Sequence, residues 1–369
     1  MGDTRPLDYF DYRKDPGAWA KSLGVSREAI DLYLASDVVD LHSCGFSWTR
    51  ALGYRQERRH RPHLRGTPFF GQLDLPRIRE AQLAAMAWSI DTNPLRPAHS
   101  QFSALLDNIT RLRALFARFP DDFAIVSSHA DYLAARRSRR TAIWVAIQGG
   151  QALDHDLALL DRIPDNLFHR VTLLHFASSR IGHPSHKPRR AHLGLSPFGE
   201  DFVRVLNKKR ILVDLAHINQ RGFWDALAVH DKSIPPVVTH TGVRTIRQLW
   251  RNIDDEQIRA IAERGGTIGI VFHGYYLAAR GRMILPRFWQ CTIDQVVDHI
   301  AHVVRLVGDE FVSLGSDYDG GIALPIGLPD VTAQPKLVQC MLDRGFSSRS
   351  IERILGANFL RVVRSIRPG

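Results

Sequence analysis

The chain has 369 residues, of which 44% are hydrophobic and 24% charged, a balance that argues against a disordered protein and for one with a sizeable core. Its formal net charge of +11 comes mostly from arginine clusters at 55–65, 136–140 and 180–190. They lack interleaved aromatics and match no binding module, so nucleic acid is not expected as a partner.

No run of 18 apolar residues occurs, so no membrane span or membrane partner is expected. Three cysteines (Cys44, Cys291, Cys340) are too few for a disulfide framework, and a reducing, cytoplasmic setting is expected.

In chain order, residues 1–36 are expected to form an N-terminal helical extension packed on the rest of the chain, with one helix over 26–34 that begins at Ser26. Residues 37–369 are expected to form one unit. Short runs rich in Val, Ile and Leu recur at 38–42, 83–90, 142–148, 170–175, 211–217, 235–240, 266–272 and 311–317. The segments 101–118 and 254–264 between them carry the three-to-four-residue apolar spacing of outer helices. Residues 54–74 form a long basic first loop. Apolar runs alternating with helices imply parallel strands joined by right-handed crossovers. Eight in series give an α/β fold, a (β/α)8 TIM barrel with long loops at its mouth.

Six of the runs end in a polar residue: His42, Gln148, His175, His217, His240 and Asp317. A barrel gathers all C-terminal strand ends on one face, where active sites sit. Two successive runs, ILVDLAH at 211–217 and PPVVTH at 235–240, each end in a histidine that leads into a loop. Side by side, two such imidazoles can hold a metal. A lone strand histidine is usually a hydrogen-bonded core residue, but four on one face point to a site. Asp317, within SDYDG, could instead shape a turn, and Arg251 could cap or pair at the surface. His183, His186 and His192 are read as loop residues. The cluster of Arg180, Lys187, Arg189 and Arg190 should overhang the mouth and favour an acidic substrate.

The stretches LDLPRIRE (73–80), VTLLHFASS (171–179), GLSPFGEDFV (194–203), ILVDLAHIN (211–219), VVTHTGVR (237–244), RNIDDEQIRAIAERGGTIGI (251–270), VSLGSDYDG (312–320) and ILGANFLRVV (354–363) together resemble the membrane (renal) dipeptidase family of zinc metallopeptidases. That resemblance implies a homodimer and two zinc ions, held by a His-x-Asp pair on the first strand, a bridging Glu on the third, and two later histidines. Carried over by position, His42, His217 and His240 stand at ligand positions. Cys44 stands where the Asp is expected and Gln148 where the bridging Glu is expected. The resemblance further implies that His175 stabilises a tetrahedral intermediate, that Asp317 is the acid/base, and that Arg251 holds the substrate's carboxylate.

Two dications about 3.5–4 Å apart repel, and a bridging carboxylate both neutralises them and ligates each. A neutral Gln148 cannot do so, and no standard binuclear centre is expected. Three states stay open: one zinc on His217 and His240 with Gln148 or water, one involving His42 and Cys44, or no metal. The leading expectation is a metal-dependent hydrolase with one zinc rather than two, cleaving a dipeptide or small amide with a free carboxylate. The alternative is a non-peptidase paralogue that binds or transforms a small acidic metabolite in a biosynthetic pathway.

Overall fold

The apolar runs lie side by side as parallel strands: β1 (Val39–Ser43), β2 (Ala85–Asp91), β3 (Phe123–Ile125), β4 (Thr141–Gln148), β5 (Phe168–Thr172), β6 (Leu212–Asp214), β7 (Val237–Thr241), β8 (Thr267–Ile270) and β9 (Val312–Leu314). The computed structural model describes residues 6–46, 53–60, 69–93, 95–164, 167–278 and 291–369. Residues 61–68 of the basic first loop therefore lie outside the described residues. The strand order is β2-β1-β9-β8-β7-β6-β5-β4, and β2 pairs with β4 from Ala85↔Ala142 to Asp91↔Gln148. That last pairing closes an eight-stranded barrel, the (β/α)8 architecture expected.

β3 is an addition that the apolar pattern does not announce. It pairs with the start of β4, Phe123 opposite Thr141, outside the ring. Three residues are too few to display a period.

All eight residues of β4 are buried, as a strand covered on both faces requires. The barrel's centre is tight around β7. A Cβ added at Gly269 or Gly315 would meet the Thr239 carbonyl oxygen at 1.9 and 1.7 Å respectively. Only glycine lets these neighbours approach β7 so closely, and that approach fixes the strand bearing His240.

Several expected strands stop short of their functional residue. β5, β6 and β9 end at Thr172, Asp214 and Leu314, three residues before His175, His217 and Asp317. His217 and Asp317 have left-handed backbones, with φ of 66° and 65°. Non-glycine residues rarely adopt this conformation, and it turns each side chain out of the strand's alternation.

Amphipathic helices form the outer layer. The helix Gln101–Ala117 buries Phe102, Leu105, Ile109, Leu112 and Phe116, the spacing of one apolar stripe. Asp255–Glu263 starts with a capping box between Asp254 and Gln257. At the N-terminus, Arg27–Ala35 is capped by Ser26 as expected, but a second helix precedes it. Pro16–Leu23 is capped by Asp15 and carries proline in its first turn, a start signal that its few apolar residues conceal. Trp19 meets Tyr33 edge to face at 5.5 Å, and the Tyr33 hydroxyl donates to the Ala81 carbonyl at 2.7 Å. Pro16–Leu23 thereby packs on Arg27–Ala35, which is tied to the turn before β2. Among the described residues no helix is long and apolar enough to cross a membrane.

Candidate metal centre and active site

The site begins below its floor with an ion pair that is fully buried on both sides. Arg170 on β5 donates to Asp214 on β6 at 2.7 Å. The Asp214 carboxylate also accepts from the hydroxyls of Thr172 at 2.5 Å and Thr239 at 2.7 Å. Because Thr239 donates its hydrogen to Asp214, its oxygen can only accept from the His240 Nδ1 lying 2.8 Å away. His240 therefore carries its proton on Nδ1 and presents a lone pair at Nε2, the form that ligates metals.

His42 on β1 stacks on His240, ring centroids 3.8 Å apart, yet carries its proton on the opposite nitrogen. Its Nδ1 lies 3.1 Å from Arg170 Nη2 and 3.2 Å from Ser89 Oγ. Arg170 also donates to Ser89 at 2.8 Å, which leaves the serine hydrogen free for His42. A guanidinium has no lone pair to offer, so His42 Nδ1 accepts and the neutral ring bears hydrogen on Nε2. That N–H faces Cys44 Sγ at 3.2 Å and Asp317 Oδ1 at 3.5 Å.

On the other side of His240, His217 and Gln148 converge. The Nε2 atoms of His217 and His240 are 2.9 Å apart, and Gln148 Nε2 lies 3.1 and 3.2 Å from them. Two nitrogens bound to one zinc at about 2.0–2.1 Å span about 3.3 Å, so the pair need open only slightly to share an ion. His217 Nδ1 has no hydrogen-bond partner. Gln148 Oε1 accepts from Cys44 at 3.4 Å; a half-turn of the amide presents that oxygen to the two imidazoles instead.

The donors thus fall into two halves of different chemistry. His240 offers a lone pair at Nε2; with the ring proton of His217 on its unpartnered Nδ1 and the Gln148 amide turned, all three fit one zinc. In the other half, one ligand atom each from His42, Cys44 and Asp317 lie within 4.8 Å of one another, a spacing a cation could accept. Their protons fit it less well. His42 would need to become an imidazolate, and burial, followed by Asp91 and Asp317, holds the Cys44 thiol well above its usual range. A carboxylate does stand near the position where the first-strand Asp is missing: Asp91, at the end of β2, has Oδ1 3.7 Å from Cys44 Sγ.

Burial dominates the electrostatics. It keeps His42, His217 and His240 neutral, with Arg170 adding to the effect on His42 and Arg251 to that on His217. His175 is pushed down to about 3 by burial and then by Arg251. Asp317 is pushed up to about 7, chiefly by burial, with Asp91 reinforcing and Arg251 opposing. The 3.5 Å contact between His42 Nε2 and Asp317 Oδ1 therefore involves a neutral ring and is not an ion pair.

His175 lies beside this centre, its ring edge-on to His217 at 4.7 Å. Arg251 is buried next to β7, its Nη2 donating to the His240 carbonyl at 2.6 Å, its guanidinium over Tyr276 at 5.6 Å, and its Nε without a partner. All eight residues singled out from the sequence therefore gather here. Arg170, Asp214, Thr239 and Asp91 complete the site without having been singled out. Arg170 and Asp214 had a signal, a charge inside an otherwise apolar run.

The sequence model of the membrane dipeptidase family, peptidase family M19, matches residues 29–368. Dipeptidase tcpJ of Claviceps purpurea is 28% identical over 310 residues, covering 80% of this chain and 69% of that protein. Among solved structures, dipeptidase AC, a metallopeptidase of family M19, superposes with a TM-score of 0.79 at 22% identity, covering 90% of this chain and 99% of its own. A metallopeptidase from Rhodobacter sphaeroides, liganded with a phosphinate mimic of the dipeptide L-Ala-D-Ala, gives 0.75 at 20% identity over 90% of this chain and 99% of its own. A match over nearly the whole barrel, on a chain whose strand ends gather these residues, makes this protein a hydrolase of the membrane dipeptidase family, peptidase family M19.

Proposed function

We propose that the chain hydrolyses a dipeptide or small amide with a free carboxylate, using one zinc on His217 and His240 rather than two. The observation that carries this reading is the different set of partners beneath the stacked histidines, Thr239 at His240 Nδ1 and Arg170 at His42 Nδ1, which assigns a lone pair to His240 Nε2 and a hydrogen to His42 Nε2. Gln148, with its amide turned, completes the zinc's protein ligands. A zinc bound there supplies positive charge that polarises the amide and eases the loss of a proton from water.

The chain's own groups carry the rest. Arg251 receives the substrate's carboxylate, its unpartnered Nε and fixed charge suiting that anion. His175, held neutral, donates a hydrogen bond to the oxygen that gains negative charge at the attacked carbon. Asp317 takes the proton of the attacking water and returns it to the leaving amine. A carboxyl poised at about 7 serves both directions near neutral pH. Arg251 steadies the carboxylate form against burial.

The test is hydrolysis of a dipeptide panel before and after chelation, with zinc returned. Activity that chelator abolishes and zinc restores is expected; activity indifferent to chelator contradicts the reading. The second reading, a paralogue acting on a small acidic metabolite, is favoured by the replacement of two carboxylates with Cys44 and Gln148. Restoring them as Cys44→Asp with Gln148→Glu separates the two. If the protein is specialised for one zinc, the double variant loses an existing activity; if it is a paralogue, dipeptidase activity arises from none.

A further inference from the structure

Large hydrophobic side chains exposed together mark a binding surface, whereas single ones need no explanation. Phe176 is 48% and Trp250 38% exposed, and both sit on mouth loops, the first directly after His175 and the second directly before Arg251. They are joined through one ring. His186 meets Phe176 at 5.9 Å and Trp250 at 5.8 Å. The row continues from Trp250 to Tyr276 at 6.3 Å, on whose face Arg251 lies. At its other end Phe176 packs 3.9 Å from His175 and 5.6 Å from His217.

A row of aromatic rings therefore runs from the proposed zinc ligands to the proposed carboxylate-binding arginine. The charges nearby are positive, Arg247 over Tyr275 at 5.7 Å and Lys187 beside His186, which disfavours a cationic side chain. The rings themselves disfavour an acidic one.

We propose that Phe176, His186 and Trp250 form the pocket for an uncharged aromatic side chain next to the carboxylate that Arg251 receives, so that the substrate is an amide or dipeptide ending in an aromatic residue. This rests on the hydrolase reading for its chemistry, but not for its binding test. Trp250 and Arg251 both lie against Tyr276, at 6.3 and 5.6 Å, which places the ring beside the proposed carboxylate site. Offset and edge-to-face contacts are what aromatic rings of this kind supply.

The experiment has two arms. In the first, calorimetry compares 3-phenylpropanoate with propanoate, carboxylates that hold no amide to cleave, on the zinc-loaded protein. The aromatic probe should bind at least about tenfold more tightly, and Trp250→Ala should shrink the ratio to about twofold. Equal binding of the two probes by the unaltered protein overturns the proposal, as does a Trp250→Ala ratio that matches the unaltered protein's. In the second arm, hydrolysis of Ala-Phe and Ala-Gly is compared, the preference for Ala-Phe appearing mainly in KM. If neither is cleaved while the probes still discriminate, the hydrolase reading fails and the aromatic pocket stands. Because both rings are exposed, a Phe176→Ala variant offers a second check that leaves the fold's core untouched, and it should shrink the same ratio.

Discussion

Two imidazoles in van der Waals contact, made of the same atoms, are given different chemistry by what lies beneath them. His240 is a proton donor downward to Thr239, and His42 a proton acceptor downward from Arg170. Asp317 shares the upper side of this arrangement, and its raised pKa has a direct consequence. Below about 7 it is protonated and cannot take a proton from water, so the rate should rise as pH climbs through neutrality. A pH–rate profile flat across that range contradicts the role. Asp317→Asn should lower kcat by about 10²–10⁴-fold without loss of thermal stability, read by steady-state kinetics beside a melting curve. Most of the proposed site residues are legible in the sequence because each is a polar residue at the end of an apolar run. Their protonation is not, since it depends on Arg170 and Ser89, which become neighbours of His42 only when the barrel closes. Asp91 is illegible for a similar reason: its closeness to Cys44 comes from the pairing of β1 with β2.

Among the elements, buried histidines outside the site act as structural pins. His299, in the helix Ile293–Val307, accepts from the Val243 backbone at 2.8 Å and lies 3.1 Å from the Leu277 carbonyl, which its other nitrogen reaches as donor. It thereby ties the loop after β7 to the short helix after β8. Burial pushes His230, His273 and His299 each down to about 4. A histidine held neutral in the fold takes up its proton only when unfolded. Stability is therefore whole above about 6.5 and falls as pH drops from there toward 4, by roughly 3 kcal/mol for each such residue. Melting temperature recorded across that window should fall steadily on the acid side, and His299→Leu should remove part of the slope while costing about 2 kcal/mol at neutral pH. A flat melting profile from neutral to acid contradicts this assignment. At this scale the eight barrel strands are legible from their apolar runs. Two of the strand ends are not, because the chain stays apolar through Leu173–Leu174 and Leu215–Ala216, beyond the last strand residues Thr172 and Asp214. The helix Pro16–Leu23 and β3 escape detection because each is too short, or too thin in apolar residues, to show a period.

For the whole molecule, closure of the barrel by β2 and β4 brings residues from across the chain onto one face, and there the centre divides into a lone-pair half and a hydrogen-bearing half. Metal held by the folded form alone should stabilise it, so zinc is expected to raise the melting temperature, by an increment that grows with its free concentration. The division itself is tested most directly by counting zinc per chain, by elemental analysis of protein loaded to saturation, in the unaltered protein and in His240→Ala and His42→Gln variants. One zinc per chain is expected in the unaltered protein and in His42→Gln, and none in His240→Ala. Two zinc ions per chain, or loss of zinc from His42→Gln, would contradict a single ion held by His217 and His240.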